Sequence, residues 1–219
     1  MVIDMRMNLK NKKYRSFRVM RFNKIKITSK NLFIFLVSFS IIAIILGIIF
    51  YFFLNESDKS LAITNMSNYF SIADNYNYFN AITESFLENT FNVFLIWIFG
   101  ISVIGIVAVI FIYFCQMFSI GFFIASILGK YGVKGILGTL AYLFPSNICY
   151  VVLFFILTFF AIKISYKFIT LCFGKEEVNI KEEIRKYFKI LLFSFIVMIA
   201  VVLLEVFVDP IVIKIFTKL

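Results

Sequence analysis

Long uncharged stretches separated by short polar segments dominate the pattern along this chain. Residues 31–54 and 90–114 contain no charged side chain, and each exceeds the roughly 20 apolar residues that a helix needs to cross a bilayer. Three further apolar runs cover residues 115–130, 135–162 and 190–208. The pattern therefore predicts an all-α fold, namely a polytopic membrane helix bundle with about five transmembrane helices.

Composition supports a lipid environment and excludes several kinds of chemistry. Of the 219 residues, 62% are hydrophobic and 16% are charged, whereas a soluble domain is about half apolar and a quarter charged. The chain contains no His, so Ser-His and Cys-His nucleophile pairs and His metal sites are excluded. We therefore expect a protein that is not an enzyme and that has no catalytic residue, cofactor or metal.

The distribution of basic residues predicts how the chain is oriented in the membrane. Residues 1–30 hold ten bases and one acid, residues 55–89 hold five acids and one base, and residues 163–189 hold seven bases and four acids. Because short cytoplasmic segments are enriched in Lys and Arg, we expect a cytoplasmic N-terminus and an external C-terminus. The chain then divides into a basic N-terminal segment, 1–30, and a membrane domain, 31–219, with an outer loop at 55–89 and an inner amphipathic linker at 163–189.

A four-span arrangement is the alternative topology. In it, residues 115–143 form a re-entrant hairpin and residues 163–189 lie outside, which the charge bias disfavours. The net charge of +10 does not indicate nucleic-acid binding, because ten of the bases precede the first span, where anionic lipid attracts them. The lipid bilayer is thus the first expected partner.

Small residues recur at spacings that favour close helix packing. Gly121, Ala125 and Gly129 are four residues apart and share one helix face, as in helix pairs whose backbones approach closely in lipid. Gly132 and Gly135 continue a glycine series, which lowers helix propensity and predicts a broken or tightly turned hairpin between the third and fourth spans. We also expect the glycines of the second span to serve packing; these are Gly100 and Gly105.

Three polar or special residues lie within or beside the later spans. Pro145 interrupts the fourth apolar run, and Asn147 is placed to satisfy a carbonyl that the proline leaves free. Glu205 lies three residues before the end of the last span. An acid inside a membrane is a functional candidate, although one helical turn separates Glu205 from the interface and a structural role is the favoured interpretation.

The outer loop contains apolar residues at helical spacing. Phe79, Ile82 and Phe86 follow an earlier set at Met66 and Tyr69, which predicts one or two amphipathic helices. Such a surface either contacts a partner or folds over the protein's own spans. Phe79, Ile82, Phe86 and Glu205 are the candidate partner contacts.

The order of these features resembles the stage II sporulation protein M family. The stretch SFLENTFNVFLIWIFGISVIG at residues 85–105 is followed by Gly121, Gly132, the Pro145-Ser-Asn turn and a terminal LEVFVDP at residues 204–210. The resemblance covers residues 30–219. Where the wider superfamily often has His-Gly after the proline, this chain has Ser146 and Asn147.

The resemblance implies a multi-pass membrane protein that acts in endospore engulfment, in the septal and engulfing mother-cell membrane. It implies a non-enzymatic scaffold that recruits peptidoglycan hydrolases, namely stage II sporulation proteins D and P. A small membrane transporter of unknown substrate is the alternative. Transporters usually have polar groups at mid-span and broken helices around a site, and only the region from Gly132 to Asn147 has such features here.

Overall fold

The computed structural model describes residues 29–71, 78–102, 104–172 and 180–217, and these ranges contain helices and no strand. The prediction of an all-α protein is therefore confirmed. Two short irregular turns, Gly132–Lys134 and Leu143–Asn147, interrupt the chain between the fourth and sixth helices. The helices are α1 (Ser29–Phe53), α2 (Glu56–Ser71), α3 (Tyr78–Ile101), α4 (Gly105–Tyr131), α5 (Gly135–Tyr142), α6 (Ile148–Cys172), α7 (Ile180–Phe207) and α8 (Asp209–Thr217).

Three helical stretches are long and apolar enough to cross a membrane. They are Ser29–Phe53, Gly105–Leu171 and Lys181–Ile215. The second comprises 67 residues, which would measure roughly 100 Å if it were one straight helix. The stretch instead folds back on itself between Gly132 and Asn147, where two irregular turns flank the short helix α5. The helices α4 and α6 are therefore separate.

The first and fourth helices lie side by side and run parallel. The Ser40 hydroxyl is 2.5 Å from the Tyr113 hydroxyl near the middle of α1, and Tyr51 lies against Gly129 near the C-terminal ends of the two helices. The sixth helix runs in the opposite direction, because Lys163 donates to Ser29 at the beginning of α1. We call this side of the bundle the Lys163 end and the opposite side the Pro145 end.

The third and seventh helices complete an alternating arrangement. Parallel packing of α3 and α6 follows from two contacts, one between Asn92 and Tyr150 and one between Gly100 and Ser165. Antiparallel packing of α3 and α7 follows from the pairing of Tyr187 with Trp97 and of Glu205 with Ser85. The five long helices α1, α3, α4, α6 and α7 therefore alternate in direction along the chain.

The core and the surface of the bundle are both apolar. Tyr113, Phe154 and Tyr187 are among the largest side chains that are completely or almost completely buried. The face of α1 that points away from the bundle exposes Phe and Ile side chains, including Ile41 and Phe53. In water this surface would be unfavourable, but a lipid-facing helix requires it.

The boundary predicted between the second and third spans does not fall where the chain turns. Residues 114 and 115 lie in the middle of α4, whereas α3 ends at Ile101 and α4 begins at Gly105. The sequence hides this turn because it has no charge and no proline. A Cβ on Gly105 would lie 1.6 Å from the Phe99 carbonyl oxygen, so only glycine fits so sharp a reversal.

Other helix bounds differ from the predicted spans in simpler ways. The predicted run 135–162 is divided into α5 and α6 by the irregular turn, and α7 begins ten residues before the predicted 190. Residues 115–131 belong to one continuous helix, α4, which packs alongside α1. The reason is side-chain packing along α1, which periodicity alone does not reveal.

Segments predicted to lie outside the membrane are also largely helical. The predicted outer loop 55–89 contains α2 and the first turns of α3, and α2 packs against α4 and α8. The predicted linker 163–189 is divided between the end of α6 and the beginning of α7, where Lys167 lies 2.5 Å from Glu183. The basic segment 1–30 falls outside the described residues except for its last two.

Candidate functional site

The polar groups of the Pro145 end meet where α3 and α7 cross. Glu205 on α7 accepts hydrogen bonds from the Ser85 hydroxyl at 2.5 Å and from the Asn89 side-chain amide at 3.3 Å. Ser85 and Asn89 are one helical turn apart on α3, so they present two donors from the same face. Glu205 is half-buried, and its carboxylate thereby joins two long helices.

A second acid lies four residues further along the chain. Asp209 begins α8, is only 2% exposed, and accepts a hydrogen bond from the Ser146 hydroxyl. Its other carboxylate oxygen, Oδ1, is buried without a hydrogen-bond partner among the described residues. Ser146 belongs to the irregular turn after α5, so this bond links α8 to the broken segment between α5 and α6.

The broken segment is formed around Pro145. The Phe144–Pro145 peptide bond is cis, and Phe144 has non-helical dihedral angles inside the turn. The side-chain amide of Asn147 donates to the Tyr142 carbonyl oxygen at 2.7 Å, which is the kind of bond that the sequence predicts for it. Backbone carbonyls cannot remain unpaired inside a membrane, so Asn147 stabilises the break.

The small residues predicted to serve packing lie at contacts between helices, and these contacts differ in how closely the two helices approach. A Cβ on Gly121 would be 2.1 Å from the Ile44 carbonyl oxygen, and Ala125 is 2% exposed. Gly129 lies against the Tyr51 hydroxyl. The stripe on α4 therefore faces α1, where backbone-to-backbone approach excludes larger side chains. Gly47 on α1 makes the reciprocal approach, since a Cβ there would be 2.1 Å from the Phe118 carbonyl oxygen.

The remaining predicted glycines have distinct surroundings. A Cβ on Gly100 would lie 2.0 Å from the hydroxyl oxygen of Tyr187, which donates to the Trp97 carbonyl at 3.3 Å. Gly132 has a positive φ of 55° and ends α4, a conformation that favours glycine. Gly135 lies close to the backbone of α4, and a Cβ there would be 2.9 Å from the Ile127 carbonyl oxygen.

The candidate partner contacts on α3 differ in exposure. Phe79 and Phe86 are 78% and 38% exposed, whereas Ile82 is half-buried. Glu205 lies on the opposite, inward side of α3, where it is occupied by Ser85 and Asn89. The four residues therefore do not form one surface. Phe79 and Phe86 are available for a partner, and Glu205 connects helices.

The polar cluster provides hydrogen bonds between separate segments of the fold. Within the described ranges there is no group of three or more Cys, Asp or Glu side chains that could hold a metal ion. The pairing of Ser146 with Asp209 is absent from the sequence predictions. It could have been found only by knowing that the break at Pro145 faces the start of α8, and the two residues are 63 positions apart.

Comparison with known proteins gives one match. The family model described as Stage II sporulation protein M matches residues 27–210, a range that includes the Pro145 turn and both buried acids. No curated protein and no solved structure gives a match.

Proposed function

This chain belongs to the stage II sporulation protein M family, and from that premise we propose that it is a non-enzymatic membrane scaffold for endospore engulfment. In this role it holds peptidoglycan hydrolases at the septal and engulfing membrane. The partners that the family resemblance implies are stage II sporulation proteins D and P. Family membership is the observation on which this proposal rests.

The proposed topology has five crossings, with the Lys163 end in the cytoplasm. The alternating directions of α1, α3, α4, α6 and α7 support it. Four of these helices, α1, α4, α6 and α7, lie almost entirely within the three stretches that are long and apolar enough to cross a membrane. Nine of the ten bases of residues 1–30 precede α1, and the tenth, Lys30, lies in its first turn, in agreement with the positive-inside rule. Under this topology α2, α5 and α8 lie at the outer side.

The hydrogen bonds of the two acidic side chains support a scaffold role. Glu205 and Asp209 both accept bonds from hydroxyls of other segments, so each acid holds two parts of the fold together. Polar side chains in membrane bundles commonly have this role. A scaffold needs such fixed geometry, because a partner binds a preformed surface with a smaller entropic cost than a mobile one.

The proposed recruitment surface is the exposed apolar face at the beginning of α3. Phe79 and Phe86 lie seven residues apart on one face of this helix, and Leu87, which is 61% exposed, extends that face. Under the five-crossing topology this face lies at the outer side, where wall hydrolases work. An amphipathic or membrane-spanning helix of the partner could pack along such a stripe.

A co-purification experiment tests the recruitment surface. Replacing both Phe79 and Phe86 by Ser should leave the protein in the membrane but lower recovery of the hydrolases at least tenfold, because loss of two buried aromatic contacts removes more than about 1.4 kcal/mol. The matched control replaces Phe52 and Phe53 by Ser. These residues are 68% and 82% exposed at the Pro145 end of α1.

The control should retain its partners, since the same residue type is removed at the same depth. Ile82 is left unchanged because it is half-buried, and its replacement would also weaken folding. Equal recovery of hydrolases by both double variants would show that recruitment occurs elsewhere.

A small transporter is the second candidate function. The observation that favours it is the helix broken at Leu143–Asn147 beside two acids, since broken helices often surround transport sites. The groove next to the break, however, has apolar walls, and neither Asn147 nor Glu205 lines it. Reconstituted protein tested for solute and proton flux, with Glu205→Gln as the comparison, distinguishes the two functions: flux that this variant abolishes would support transport.

A further inference from the structure

An open groove lies between α5 and α8 at the Pro145 end. Its volume is about 460 Å³, and every residue that lines it is apolar. Leu140 and Phe144 on one wall are 58% and 59% exposed, and Ile215 on the other is 59% exposed. The lining residues are Leu137, Leu140, Ala141, Leu143, Phe144, Ile148, Val212 and Ile215.

A lysine stands at the end of the α5 wall. Lys134 closes the turn Gly132–Lys134 and has helical dihedral angles that continue directly into α5. It therefore precedes Leu137 and Ala141 by three and seven positions, which places all three on one helix face. Lys134 is exposed and lies one helical turn before Leu137, the first lining residue of the groove.

The chain segments around the groove carry basic side chains, whereas the segment that contains α2 and the beginning of α3 is mostly acidic. The stretch from 129 to 149 contains Lys130 and Lys134 and no acid, and α8 adds Lys214. The only acid of α8 is Asp209, which is buried and bonded to Ser146. At the same end, the described residues 56–71 and 78–89 hold four acids and one base. The groove therefore favours an anionic amphiphile over a neutral one.

We propose that the groove between α5 and α8 binds one acyl chain of an anionic phospholipid, with Lys134 contacting the phosphate group. The apolar walls receive the chain, and the lysine at the entrance selects the charged head. Neighbouring lipid supplies the ligand directly, because α5 and α8 belong to a bundle whose exposed surface is apolar. A bound lipid would fix the position of α8 against the broken segment.

Quenching of an introduced indole by brominated lipid tests this site in the purified full-length protein. Trp97 is the single tryptophan and lies among Tyr187 and Phe188, so it is first changed to Phe. Leu140→Trp then places an indole on the α5 wall, and Ile215→Trp in a second protein places one on the α8 wall. Each protein is reconstituted in phosphatidylcholine that contains a variable fraction of brominated phosphatidylglycerol or brominated phosphatidylcholine.

We expect brominated phosphatidylglycerol to reach half-maximal quenching at a fraction about fivefold lower than brominated phosphatidylcholine. This is the factor that one lysine provides near a charged headgroup. Lys134→Gln should remove this preference. Lys181→Gln is the matched control, because Lys181 is an exposed base at the Lys163 end, and this variant should keep the preference.

Two outcomes overturn the proposal. Equal quenching by the two brominated lipids would show that the groove meets bulk lipid without selection. Absence of quenching by either lipid at both positions would show that protein, such as a second copy of this chain, covers the groove.

Discussion

Individual polar side chains in this protein act as bonds between helices. Glu205 joins α7 to α3 through Ser85 and Asn89, and Asp209 joins α8 to the turn at Pro145 through Ser146. Inside a membrane the unfolded chain also finds hydrogen-bond partners for these groups, so each such bond contributes only about 1 kcal/mol. These bonds matter for the geometry of the fold, because each pair fixes the position of one segment relative to another.

At this scale we predict that Glu205→Ala destabilises the protein by about 1–3 kcal/mol, because Ser85 and Asn89 lose their shared acceptor. Glu205→Gln should cost less, since its amide oxygen still accepts one of the two bonds. The midpoint of thermal unfolding in detergent, followed by circular dichroism, measures both effects. Equal midpoints for the two variants would show that these bonds do not contribute to stability.

The sequence indicated part of this residue-scale picture. The intramembrane position of Glu205 and the pairing role of Asn147 were visible from local context, because each depends on neighbours within one or two turns. The partners of Glu205 were not, since Ser85 is 120 residues away. Only the antiparallel packing of α3 and α7 brings them together.

Among the helices, α1 and α4 show most clearly how small residues determine packing. Gly47 and Gly121 each allow the opposite backbone to approach a position where a Cβ would be 2.1 Å from a carbonyl oxygen. Ala125 continues this contact and is almost completely buried. In lipid the hydrophobic effect does not favour the association of one apolar face over another. Close van der Waals contact therefore determines which helices associate.

We predict that Ala125→Leu lowers the stability of the bundle by about 1–3 kcal/mol, because the larger side chain forces α1 and α4 apart. Ile124→Leu is the matched control on the adjacent face, where Ile124 is half-buried and the volume is unchanged. Abundance in the membrane and the unfolding midpoint in detergent report the difference. Indistinguishable behaviour of the two variants would contradict a close contact at Ala125.

Across the whole molecule, the arrangement of the five long helices leads to a testable topology. Single cysteines in a cysteine-free background should react with an impermeant reagent at Ser57 and Lys134 in intact cells. At Asn8, Ser102 and Lys181 they should react only after permeabilisation. The reason is that Ser57 and Lys134 lie at the Pro145 end, whereas Ser102 lies in the turn between α3 and α4 at the opposite end.

The same set of cysteine positions distinguishes the five-crossing topology from the four-span arrangement. In the four-span arrangement Lys134 is inaccessible and Lys181 is external, so labelling of Lys181 in intact cells would refute the five-crossing topology. Labelling of Asn8 without permeabilisation would reverse the orientation.

The sequence by itself determined that this is a helical membrane protein, which regions are apolar, and where glycine and proline interrupt helices. These properties depend on composition and on periodicity within a few turns, and lipid imposes strict rules on both. The sequence also carried the family assignment, because the order of small and polar residues is itself a linear property.

Tertiary structure alone decided where α3 turns into α4 and which polar groups meet. The sequence between Ile101 and Gly105 contains no charge and no proline, and the change of direction becomes evident only when Gly105 packs against the Phe99 carbonyl. The bond between Ser146 and Asp209 and the groove between α5 and α8 likewise require a broken helix to face a segment more than 60 residues away. Contacts of this kind depend on three-dimensional packing, which apolar periodicity leaves undetermined because in lipid nearly every face of these helices is apolar.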